Sequence, residues 1–85
     1  MDEDILIYSY GSDIYLNLYT HDCTCQFEVF DMNGRCVCKQ HYAYEAFQKI
    51  HLDVHTGFYI VHVVLPERVI DEKIFLESDN EIHYL

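Results

Sequence analysis

Cys25-Gln26-Phe27-Glu28-Val29-Phe30-Asp31-Met32-Asn33-Gly34-Arg35-Cys36-Val37-Cys38 reads as a strand, a tight turn and a returning strand. In an extended chain successive side chains alternate between faces, so Phe27 and Val29 share one face and Glu28 takes the other. Asn33-Gly34 tolerates the positive φ of a tight hairpin, and the Asp31 carboxylate can accept N–H groups of the turn. Working outward, the same grammar repeats. Gly11-Ser12-Asp13, Thr20 to Thr24, His55-Thr56-Gly57 and Pro66-Glu67 break the chain into short runs rich in Tyr, Phe, Ile and Val. Strands are predicted near Ile5–Tyr10, Asp13–Tyr19, Cys25–Asp31, Arg35–Tyr42, Gln48–Asp53, Phe58–Leu65 and Val69–Leu76.

Tyr42 to Phe47 is too short for a free-standing helix and is predicted to be an irregular crossing. Ile14, Leu16, Leu18, Phe27, Val29, Tyr59, Val61 and Val63 form the predicted core, with Asn17, Glu28 and His62 turned to solvent. This is the pattern of an all-β antiparallel sandwich, wet on both outer faces. Phe30, Phe58 and several tyrosines break the alternation and leave more aromatic surface than an isolated sandwich needs, a feature of protein contact sites.

Charge narrows the partners. Fifteen acidic against 5 basic residues in 85 give a formal net charge of -10, which repels nucleic acid and anionic membrane surfaces. No apolar run is long enough to insert in a bilayer, and the acidic start Met1-Asp2-Glu3-Asp4 is unlike the basic beginning of a signal peptide. The expected partner is therefore protein.

The segment Phe27 to Arg35, the later Gly57-Phe58-Tyr59-Ile60-Val61 and the closing Lys73-Ile74-Phe75-Leu76 together resemble the C-terminal sorting domains of the bacterial type IX secretion system and related small immunoglobulin-like secreted modules. The resemblance covers most of the chain. It implies an immunoglobulin-like β-sandwich of about seven strands, spanning residues 1–76, followed by a tail at 77–85. It also implies a non-catalytic address read by secretion or outer-membrane machinery, and hence the periplasm, outer membrane or cell surface of a Gram-negative bacterium. Asp31, Asn33, Gly34, Arg35, Gly57, Tyr59 and Lys73 are the motif residues carried over. Arg35 is expected to reach across the loop to Asp31. The family's usual Pro-Asn-Pro near the first strand is missing, since Pro66 is the only proline. An alternative expectation is a stand-alone structural or accessory subunit of a larger surface or virion assembly. In either case the tail residues Ile82, His83, Tyr84 and Leu85 are candidates for partner contact, as an added strand or as an arm.

Two groups of side chains could carry other chemistry. Cys23-Thr24-Cys25 and Cys36-Val37-Cys38 supply four thiols for a tetrathiolate metal site or for disulfides. Parity with Phe27 and Val29 turns Cys25 inward, whereas Cys36 and Cys38 flank the core-like Val37 and turn outward unless a bulge intervenes. Reduced structural cysteines are expected, with no cofactor. Of the 6 histidines, His51 and His55 have ligand spacing only on a helix, and here they lie on a strand and a turn. The acidic clusters Asp2 to Asp4 and Glu77 to Glu81 lack the spacing of a calcium loop. No serine sits in a nucleophile elbow, and no enzymatic activity is expected.

Overall fold

The computed structural model describes residues 5–18, 24–43 and 47–78. The seven described elements are all strands: β1 (Leu6–Tyr10), β2 (Asp13–Asn17), β3 (Thr24–Asp31), β4 (Cys36–Ala43), β5 (Phe47–His51), β6 (Gly57–Val64) and β7 (Val69–Leu76). They form a three-stranded sheet in the order β1-β2-β5 and a four-stranded sheet in the order β4-β3-β6-β7, antiparallel throughout. Of the irregular crossing expected over Tyr42 to Phe47, Tyr42 and Ala43 belong to β4 and Phe47 to β5, while Tyr44 to Ala46 lie outside the described residues, as do Cys23 and the tail from Asp79.

Hydrophobic alternation decides which faces meet. Ile14, Leu16 and Leu18 from one sheet, and Phe27, Val29, Val61 and Val63 from the other, are each at most 1% exposed. All eight predicted core residues are buried. At ~25 cal/mol per Å² of apolar surface removed from water, their shared interior supplies most of the drive to fold. Among the described residues, glycine supplies left-handed backbone at two turns, Gly11 at φ 61 and Gly34 at φ 85.

Tyr59 fastens the top of β6. Its ring is buried, and its hydroxyl donates to the main-chain carbonyl of His55 at 2.6 Å, tying the β5–β6 connection to the strand it leads into. A tyrosine bonded back across this corner is characteristic of immunoglobulin-like sandwiches. Gly57 opens β6 opposite Leu76 with no positive φ, and a methyl group added there would touch nothing within 4 Å. The stretch therefore does not require glycine for backbone reasons.

Candidate protein-interaction surface

The β3–β4 hairpin holds the most specific motif. Asp31 Oδ1 accepts from the main-chain N–H groups of Asn33 and Arg35, both at 2.9 Å. Gly34 N donates to Asp31 O at 3.0 Å, and Asp31 N to Arg35 O at 2.9 Å. Asp31 thus organises the turn through its side chain and both main-chain groups. Arg35 meets that carboxylate through its backbone N–H, and among the described residues its guanidinium forms no ion pair with Asp31. Met32, Asn33, Gly34 and Arg35 are all exposed at the tip.

Lys73 belongs to a different surface, the outer face of the four-stranded sheet. Strand register pairs Phe58 with Phe75, Ile60 with Lys73 and His62 with Asp71, so these side chains share that face. Phe58 and Phe75 meet edge to face with ring centroids 5.1 Å apart, and Lys73 Nζ sits 4.7 Å from the Phe58 centroid. Phe58 remains 51% exposed and Phe75 43%, so the rings present apolar area to solvent rather than hiding it under the lysine. Phe30 extends the face, packing its edge against His62, whose Nδ1 donates to Asp71 Oδ1. An aromatic centre carrying one cation and rimmed by a carboxylate suits contact with protein.

A second aromatic face lies on the opposite side of the molecule. Tyr8 stacks on Tyr15 at 4.9 Å, and Tyr15 leans toward Phe47 at 6.3 Å, across the outer surface of β1, β2 and β5. Leu6 and Tyr10 flank it, both exposed. Asp13 at its end accepts from His51 Nδ1 at 2.8 Å and faces Lys49 Nζ at 3.8 Å. His51 is thus engaged with a carboxylate, while His55 contributes its carbonyl to the Tyr59 corner.

Cys36 is exposed and Val37 packs against the core, whereas the expected outward turn of Cys38 is corrected by a bulge. Val29 pairs with Cys38 and Phe30 with Cys36, leaving Val37 as the extra residue. The shift turns Cys38 to the side of Val29, where it packs on the core, while Cys36 stays exposed. Cys25, Cys36 and Cys38 form no disulfide. Cys25 pairs with Tyr42, four register positions from the Val29–Cys38 pair, or ~13 Å along the strand. That exceeds the span of a disulfide and of shared metal ligation. Among the described residues no His, Cys, Asp and Glu group could hold a metal ion. Burial, then the neighbouring Cys36, push the Cys38 thiol above the ordinary 9.0, against a smaller opposing contribution from Gln40.

Sequence reasoning did not single out Phe75 as a site residue, and noted Phe58 only as a break in alternation. The available signal was the spacing Lys73-Ile74-Phe75, which puts lysine and phenylalanine on one face once Ile74 is assigned to the core. Ile82 to Leu85 lie outside the described residues.

Strand order, the buried two-sheet interface and the tyrosine corner define an immunoglobulin-like β-sandwich. The same fold occurs within the crystal structure of dimeric latent PorU from Porphyromonas gingivalis, with a TM-score of 0.60 and 15% sequence identity over 89% of this chain. The match covers 9% of the PorU chain, so this chain spans about a tenth of that protein's length. No protein-family model matches the chain, and no curated protein sequence matches it.

Proposed function

We propose that the chain is a non-catalytic protein-interaction module that works as a type IX secretion C-terminal sorting domain, read by secretion or outer-membrane machinery at the cell surface. The observation that carries this reading is the Phe58–Phe75–Lys73 face. It places the motif lysine of β7 on an exposed aromatic platform, on a fold shared with a segment of PorU. The Asp31 turn and the Tyr59 corner act in this scheme as scaffold, fixing the sheet that presents the face. Apolar rings supply the contact area, and the lysine selects a partner carboxylate and orients the contact.

The test is transfer of the address. A reporter with a signal peptide, followed by these 85 residues, is expressed in a type IX-competent Gram-negative bacterium and in a strain lacking the translocon. Surface delivery is expected only in the competent strain, with an about tenfold loss in a K73A/F58S double variant that still folds, as for removal of a contact hot spot. A reporter held in the periplasm of both strains would reject the reading.

The Tyr8–Tyr15–Phe47 face favours a second reading, a structural subunit of a larger assembly, because two apolar faces on opposite sides allow contact with two neighbours. Native mass measurement of the chain with its co-purifying partners separates the readings: a stable stoichiometric complex supports the subunit.

A further inference from the structure

β1 and β7 are the outermost strands of their sheets, and they meet along a seam. Ser9 Oγ donates to Phe75 O at 2.8 Å, and Glu77 N to Gly11 O at 2.9 Å. Equal steps along both strands mean that they run parallel, and these bonds pin their C-terminal ends. Toward the N-terminal ends the seam opens into a cleft of about 250 Å³ lined by Ile5, Ile7, Ile70 and Glu72.

Glu72 departs from the pattern of its strand. The alternate positions Ile70, Ile74 and Leu76 face inward, Ile74 and Leu76 being buried, and Glu72 shares their parity opposite Val61. Glu72 itself stays exposed at the sheet edge; an acid at an inward-parity position of an edge strand has a simple use as protection against edge-to-edge pairing. Here it also borders a cleft lined by three isoleucine side chains with a single carboxylate, which among the described residues has no cationic partner.

We propose that this seam is a recognition cleft for one lysine or arginine side chain on an extended segment of a partner protein. The aliphatic stem lies along Ile5, Ile7 and Ile70, and the cationic head pairs with Glu72. Long basic side chains have this division between apolar stem and charged tip. The volume is below that of usual small-molecule pockets but sufficient for a side chain. Charge selects the occupant: a chain with net charge -10 draws in a basic segment and repels a second copy of itself. Backbone geometry favours an extended segment, because among the described residues β1 pairs only with β2 and β7 only with β6, leaving their outer edges open where the seam widens. This site is separate from the Lys73 face and does not depend on the export reading.

The experiment follows amide resonances of the isotope-labelled chain during titration with the blocked tripeptide acetyl-Val-Lys-Val-amide, and with its norleucine and glutamate counterparts. The lysine peptide is expected to shift the amides of Ile5, Ile7, Ile70 and Glu72. Its affinity should exceed that of the norleucine peptide about fivefold, the scale of one partly exposed ion pair, and should weaken as salt is raised. E72Q should remove the preference, and E72K should transfer it to the glutamate peptide. Equal affinity for lysine and norleucine peptides on the unaltered chain would overturn the proposal without reliance on any variant. Shifts centred elsewhere, or an unchanged preference in folded E72Q, would overturn it as well.

Discussion

Replacing Tyr59 with phenylalanine separates scaffold from recognition. The substitution keeps the buried ring and deletes one oxygen, so the loss is the 2.6 Å hydrogen bond to the carbonyl of His55. A net intramolecular hydrogen bond contributes about 1 kcal/mol, and an acceptor left without a partner raises the cost. The bond is part-buried and His55 as a whole is exposed, so the expected loss is ~1 to 1.5 kcal/mol. For a domain of this size ~1 kcal/mol corresponds to a shift of ~4–8 °C in melting temperature. Tyr59→Phe should therefore melt ~4–12 °C lower, with an unchanged urea m-value. Tyr59→Ala also discards the ring, at ~3–5 kcal/mol, enough to unfold much of a marginal domain. Thermal melts followed by circular dichroism read the first effect, and the export reporter reads the second. A phenylalanine variant melting within ~1 °C of the parent would refute the corner as a structural fastening. Normal melting with lost export would move the hydroxyl into the recognition surface.

Asp31→Ala removes the acceptor for two turn N–H groups and should cost ~1 kcal/mol by urea denaturation, whereas Asp31→Asn, which keeps a side-chain carbonyl, should lose less. Gly34→Ala places a β-carbon on backbone at φ 85 and should cost ~1–2 kcal/mol by the same measure, although no neighbour lies within 4 Å. Alkylation with peptide mapping should label exposed Cys36 first and buried Cys25 only on unfolding. Cys38 should reach half its limiting rate at a pH above 9.0, because burial and Cys36 favour its neutral thiol. Since that folded pKa is raised, the stabilising contribution is complete below the unfolded thiol pKa and is lost as pH rises through the folded one. Equal labelling rates for Cys36 and Cys38 would contradict the packing of Cys38 on the core.

Local rules carried the reading of the strands. Alternation in Ile14, Leu16 and Leu18, and turn chemistry at Asp31 to Gly34, act between near neighbours, so the sequence displays them directly. The orientation of Cys38, unlike that of exposed Cys36, departs from expectation for a local reason of another kind. Strict alternation about the core-like Val37 turns both cysteines outward, and whether a bulge interrupts it at Val37 is revealed by the partner strand alone. The Phe58–Phe75 contact and the cleft beside Glu72 were illegible because both depend on pairings between distant segments. Along β7, Glu72 looks like an ordinary solvated charge until Ile70, Ile74 and Leu76 are known to face the core. Lys73 was legible as a motif position, but its aromatic neighbour Phe58 became its partner only through the β6–β7 register.

The parallel run of β1 beside β7 has a mechanical consequence. Tension applied at Ile5 and Ser78 pulls the two strands past each other along their length, so the Ser9–Phe75 and Gly11–Glu77 bonds bear the load side by side and must break together. A peeling geometry would break them in succession at lower force. The β1–β7 seam therefore acts as a shear clamp for a domain stretched between its ends.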